Sequence, residues 1–175
     1  MDPGLLIASP QMRDPNFARS VVLLVQHDEN GALGVVINRE LSVPVRDVLE
    51  GAEEISGPSG ERPALWGGPV QPEIGLVVFE GDAPEGWRVG EQLAVSGSRE
   101  RVLALLRQDD PFHLCLGYAG WGPGQLDREF AEGSWVHSEA DRRLLFEVNA
   151  ARRYDEALAR LGLRAETLWM TPIDE

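Results

Sequence analysis

Apolar residues come in unbroken runs early in the chain, at residues 5–8, 21–25 and 33–37. Runs rich in β-branched residues, without polar alternation, predict strands covered on both faces. His27-Asp28-Glu29-Asn30-Gly31 separates the second run from the third. Its Asn-Gly pair is the strongest short hairpin signal, so these two strands are expected to pair antiparallel. Asp14-Pro15-Asn16 breaks the chain ahead of them, because proline disfavours helix in the residue before it and Asn and Asp favour turns. Further strands are predicted at residues 74–79, 92–95 and 112–118. Residues 51–63 read as an exposed loop, and Gly67-Gly68-Pro69 as a tight turn.

Helical spacing appears between and after these runs. Val45, Val48 and Leu49 share one face of a short helix expected over residues 43–49. Ser98 is placed to cap a helix carrying Val102, Leu103, Leu105 and Leu106, with Arg101 where a full capping box would have Glu or Gln. Residues 125–131 form a helix that Gly133 stops. Residues 140–146 and 153–161 complete the helices, with Gly162 as the last stop, and residues 168–173 predict a final edge segment. Strands come mostly first and helices mostly later, and tight turns join the early strands. That order predicts an α+β fold on a mixed sheet, not a doubly wound parallel one.

Composition narrows the function classes. The 175 residues suit one domain spanning 1–175, and 43% hydrophobic residues supply a core. The net charge of −13 opposes binding to nucleic-acid phosphates and to anionic membrane surfaces. All 16 basic residues are arginine, which excludes Schiff-base chemistry, a phosphate-loop lysine and a Ser–Lys dyad. The single cysteine, Cys115, forms no intrachain disulfide, and its apolar surroundings predict a buried small hydrophobe. No run approaches the ~18 apolar residues of a membrane span, and no signal peptide is visible. A soluble, cytoplasmic protein is expected.

The densest feature is the stretch from Gly117 to Phe130: an apolar strand, clustered glycines, then an amphipathic helix. Gly120, Gly122 and Gly124 give G-x-G-x-G, which is not the dinucleotide fingerprint G-x-G-x-x-G. Gly67-Gly68-Pro69 lacks the Lys-Ser/Thr of a phosphate loop. No G-x-S-x-G elbow is present. His27, His113 and His137 do not show zinc-site spacing, so no metal and no cofactor is expected. His113 adjoins a core strand and reads as structural. Asp127 and Glu129, two apart, do not share a helix face, and Glu129 is the better candidate. The expected cleft gathers His27, Asn38, Arg39, Gly67, Gly68, Trp121, Gln125 and Glu129 as ligand-binding residues, with none assigned as catalytic. Arg39 would clamp an anion and Trp121 would stack on a ring or a partner side chain.

Four blocks then occur in order: L-I-A-S-P-Q-M-R-D-P-N-F-A-R-S-V-V at Leu6–Val22, H-D-E-N-G-A-L-G-V-V-I-N-R at His27–Arg39, G-G-P-V at Gly67–Val70, and L-G-Y-A-G-W-G-P-G-Q-L-D-R-E at Leu116–Glu129. Trp135 and A-D-R-R-L-L-F at Ala140–Phe146 follow. With these blocks the chain resembles the bacterial YqgE/AlgH family over almost its whole length. The resemblance implies a bent, partly barrel-like, largely antiparallel mixed sheet surrounded by helices, in a cytosolic protein. It implies no activity. The family's transcriptional-regulator label comes from a genetic association with alginate synthesis, not from a mechanism. Several relatives carry a cysteine two residues before the histidine that matches His27. Val25 stands there in this chain, so a thiol-based redox role does not carry over. Pro123 also departs from the smaller or charged residues of the family's glycine turn, and removes one N–H donor from it.

The leading expectation is a non-catalytic regulatory module that binds a protein or a small anionic ligand and acts on transcription only indirectly. One alternative is an enzyme on a small anionic substrate with His27 or Glu129 as acid–base, favoured if His27 lies within hydrogen-bond reach of a carboxylate. The other is direct DNA binding, which the charge disfavours.

Overall fold

A computed structural model describes residues 1–49, 51, 52, 55 and 57–162. The strands are β1 (Gly4–Ala8), β2 (Val21–Asp28), β3 (Gly31–Val36), β4 (Glu40–Pro44), β5 (Pro63–Trp66), β6 (Val70–Glu80), β7 (Trp87–Val89), β8 (Leu93–Ser96), β9 (Phe112–Trp121) and β10 (Trp135–Ser138). The helices are α1 (Val45–Val48), α2 (Arg99–Gln108), α3 (Gln125–Ala131), α4 (Arg142–Phe146) and α5 (Ala150–Arg160), with a 3₁₀ turn at Pro58–Glu61. The strands form one sheet in the order β10-β1-β2-β3-β9-β6-β8-β7. β4 pairs with β5, which joins β9 as the parallel pair of an otherwise antiparallel sheet. The sheet stays open, yet it bends until β7 approaches β2, where Trp87 Nε1 donates to Gln26 Oε1 at 3.1 Å. This is the expected α+β architecture.

Both faces of the sheet are covered, and for a simple reason. Side chains alternate along β6, so Leu76 and Val78 enter one apolar cluster while Val77 and Phe79 enter another. The first cluster packs β1–β3 against α4 and α5. The second packs β6 and β9 against α2. Val21–Val25 is buried throughout, as its unbroken apolar run predicts.

Several boundaries differ from the sequence reading. The hairpin forms, but its two-residue loop is Glu29-Asn30, with Asp28 opposite Gly31. Gly31 opens β3 at φ +134°, where a Cβ would lie 2.2 Å from the Trp121 carbonyl oxygen. This glycine therefore serves the close approach of β9, not the turn. The helix expected over residues 43–49 shrinks to Val45–Val48, because Pro44 forces the residue before it to be extended and residues 40–44 pair as β4. The helix expected at residues 140–146 begins at Arg142, since Asp141 accepts from Arg143 N and caps it. α5 begins three residues earlier than its apolar stripe suggested, at Ala150. β10 is too short to carry a pattern and exists because β1 pairs with it. Ser98 caps α2 as expected, accepting from Arg101 N at 3.2 Å. The segment expected at residues 168–173 lies outside the described residues.

Candidate functional site

At the end of β9 the chain passes through Gly122-Pro123-Gly124 into α3. Gln125 holds that turn, its Oε1 accepting from Gly122 N at 3.0 Å. One helical turn on, Glu129 accepts from Gln125 Nε2 at 2.9 Å and from the indole N–H groups of Trp121 and Trp135 at 3.0 Å each. Both tryptophans are buried, and their rings meet edge-on with centroids 6.0 Å apart. Phe17 completes the cluster, stacked on Trp121 at 6.2 Å and edge-on to Trp135 at 5.8 Å. A half-buried carboxylate thus sits under three N–H donors, covered by aromatic rings.

Phe17 belongs to the loop between β1 and β2, and Asn38 and Arg39 pin that loop down. Asn38 Nδ2 donates to Arg19 O and Asn38 Oδ1 accepts from Val21 N, both at 2.9 Å. Arg39 donates to Pro15 O at 3.3 Å and Ala18 O at 2.9 Å, with its guanidinium 5.0 Å above the Trp66 ring. Partial burial pulls the Arg39 pKa down, with Asp14 acting the other way. Arg19, at φ +58°, lies over Tyr154 and pairs with Asp155 at 3.2 Å. The loop's tip, from Arg13 to Asn16, is exposed.

The structure therefore joins five of the eight expected residues: Trp121, Gln125 and Glu129 directly, and Asn38 and Arg39 through the loop that carries Phe17. Gly67 and Gly68 serve backbone packing. Gly67 N donates to Leu116 O and Gly67 O accepts from Val36 N, both at 2.8 Å. A Cβ on Gly68 would lie 2.1 Å from the Tyr118 carbonyl carbon. His27 lies in register with Trp121 across Ala32 and reaches α3 at Asp127, not at Glu129. Its ring is nearly buried and its Nε2 lies 3.3 Å from Asp127 Oδ1. The carboxylate in reach of His27 is thus Asp127, which the i, i+2 argument set aside.

Three residues of consequence escaped the sequence reading. Phe17 and Trp135 converge only in space. Arg153 carried a legible signal, since it falls on the stripe Ala150, Tyr154, Ala157, Leu158 that α5 buries. Arg153 is 5% exposed, and it donates to the carbonyls of Ile37, Leu144, Leu145 and Val148. It thereby satisfies the orphan carbonyls at the end of α4. His113 stacks on Phe146 and its Nε2 lies 2.5 Å from Leu145 O. Burial, then the Arg153 charge, lowers its pKa to about 4. Burial pushes the Cys115 thiol up to about 12.

Three cavities among the described residues bear on the site. One of about 580 Å³ opens near Val89, Gln92, His137 and Arg142. A second, of about 490 Å³, lies over Arg153 and His113. A third, of about 180 Å³, runs beside α2 at Val102, Leu114 and Leu116. None of these three is lined by any of the eight expected residues. Among the described residues no group of three His, Cys, Asp or Glu is placed to hold a metal, and no helix is long and apolar enough to cross a membrane.

A bent, open, ten-stranded sheet with helices on both faces defines the fold class as α+β. The chain belongs to the AlgH-like family, whose match spans residues 5–166. It is 45% identical to a UPF0301 protein of Anaeromyxobacter sp. (strain Fw109-5) over 92% of this chain and 88% of that one. A UPF0301 protein of Xanthomonas campestris is 40% identical over 91% and 88%. The solution structure of the AlgH protein from Pseudomonas aeruginosa superposes with a TM-score of 0.76 at 34% identity, covering 99% of this chain and 94% of that one. A crystal structure of a Corynebacterium diphtheriae protein shares the fold, with a TM-score of 0.74 at 24% identity over 91% and 87%.

Proposed function

We propose that the protein is a non-catalytic recognition module of the cytoplasm. It presents the loop between β1 and β2 to a partner protein and influences transcription only through that partner. The observation that carries this reading is where the polar side chains spend their hydrogen bonds. Glu129 takes three internal donors, and Asn38 and Arg39 bond to backbone carbonyls of the loop. They hold a shape instead of addressing a substrate. A loop fixed in advance loses little entropy on binding, which favours recognition. The test is quantitative interaction mapping with the wild type against an Asp14→Ala/Asn16→Ala double variant that keeps the wild-type melting temperature. Partners lost only from the variant support the reading, whereas identical partner sets refute it.

One contact favours a second reading. His27 and Asp127, 3.3 Å apart, have the geometry of an acid–base pair for a small anionic substrate. Turnover of a panel of phosphate and carboxylate esters, abolished in His27→Gln without loss of stability, would support it. A panel without turnover would remove it.

A further inference from the structure

Four asparagines occur in the chain, followed by Phe17, Gly31, Arg39 and Ala150. Only Asn30 precedes glycine, and no Asp-Gly pair occurs. An asparagine side chain can be attacked by the backbone nitrogen of the next residue, which closes a five-membered imide. A Cβ on that next residue crowds the approach, and glycine has none.

The surroundings separate the four further. Asn38 is held at both ends of its amide, donating to Arg19 O and accepting from Val21 N at 2.9 Å each. Asn149 leads into α5, so the nitrogen of Ala150 is fixed in the first turn of a helix. Asn16 is exposed, but the residue after it is Phe17, packed against Trp121 and Trp135. Asn30 is exposed in the two-residue loop between β2 and β3. Among the described residues nothing bonds to its side-chain amide, while Asp28 Oδ1 takes its backbone N–H at 2.8 Å. Asp28 and Glu29 are exposed beside it, and the Asp28–Gly31 pair that closes the hairpin lies at this tip. Such tips open at little cost in free energy, which frees the Gly31 nitrogen.

We propose that Asn30 is a site of spontaneous covalent modification in the folded protein, with water as the co-reactant. The Gly31 nitrogen bonds to Asn30 Cγ, the Cγ–Nδ2 bond breaks, and Nδ2 leaves as ammonia with the proton from Gly31. Water then adds to one of the two carbonyls of the imide. Opening at Cγ gives aspartate. Opening at the main-chain carbonyl gives isoaspartate, whose backbone runs through Cβ and Cγ. No electrons are transferred, and each product carries a carboxylate where an amide stood.

The isoaspartate product acts on the site. It lengthens the main chain by one carbon immediately before Gly31. Gly31 passes so close to β9 that a Cβ would lie 2.2 Å from Trp121 O. Ala32, the next residue, stands in register between His27 and Trp121. A longer turn therefore displaces β3 against the strand that carries Trp121, whereas aspartate leaves the backbone as it was. The hairpin tip is separate from the loop between β1 and β2, so this inference and the proposed function stand or fall separately.

The test incubates the folded full chain in mildly alkaline buffer made with heavy-oxygen water. Peptide mass spectrometry and labelling by an isoaspartyl methyltransferase read the products. The expected result is heavy oxygen and isoaspartate at residue 30, while Asn16, Asn38 and Asn149 keep their amides. Asn30→Ser loses the signal. The purified isoaspartate form shows an altered near-UV circular dichroism spectrum, and Asn30→Asp, which adds the charge alone, keeps that of the wild type. Asn30 left intact in the folded chain while the urea-unfolded chain converts, or conversion at Asn16 or Asn149 at an equal rate, overturns the site. Identical spectra for the isoaspartate form and Asn30→Asp overturn its effect on Trp121.

Discussion

Replacing Glu129 by alanine tests the centre of the site most directly. The carboxylate accepts from the indole N–H groups of Trp121 and Trp135, which are 6% and 3% exposed. Without it, two buried donors lose their acceptor. Each such loss costs about 1–3 kcal/mol, so Glu129→Ala should destabilise the fold by about 4 kcal/mol. Against a typical total of roughly 5–15 kcal/mol this is a large share, equivalent to a melting temperature lower by roughly 10 °C. Glu129→Gln keeps an oxygen for the indoles. Its amide nitrogen, however, would face Gln125 Nε2, and Gln125 Oε1 is already held by Gly122 N. The expected cost is about 1–2 kcal/mol. Urea denaturation followed by tryptophan fluorescence measures both variants, and near-UV circular dichroism reports the packing of the two rings. A glutamine variant as unstable as the alanine variant would show that the two indole donors are not what the carboxylate serves.

The other predictions concern neighbouring parts of the fold. Gly68→Ala drives a Cβ to 2.1 Å from the Tyr118 backbone and should cost about 3 kcal/mol or more, whereas Gly120→Ala meets nothing closer than 3.9 Å and should stay within about 0.5 kcal/mol; equal melting curves would refute the packing argument. Cys115, fully buried with its thiol pKa raised to about 12, should react with a thiol reagent only as fast as the protein opens, and rapid native labelling would contradict that burial. His113, lowered from 6.5 to about 4, binds its proton less readily when folded, so the unfolded chain holds more protons between those values. Its contribution is complete above about pH 6.5 and falls away as the pH drops toward 4, by at most ~3 kcal/mol. Urea midpoints across this range should fall less steeply in His113→Phe, and an unchanged slope would refute the assignment.

Local physics made much of this protein legible in one dimension. The unbroken run at residues 21–25 announced a strand buried on both faces, the polar break at residues 27–31 a hairpin, and Ser98 a helix cap, because each depends on residues within a few positions of one another. The site was legible in part. Trp121, Gln125 and Glu129 share one motif, with Gln125 and Glu129 one helical turn apart and Trp121 at the end of the strand just before that helix. Tertiary structure alone brought Phe17 onto the two tryptophans and turned Asn38 and Arg39 inward to hold a loop, since those contacts close over long stretches of chain; it also aimed Trp135, six residues past Glu129, at the carboxylate by pairing β10 with β1. It also gave Gly31 and Gly68 their reason: the backbone of β9 passes too close for a side chain, and a glycine's neighbours across a sheet are not written beside it in the sequence.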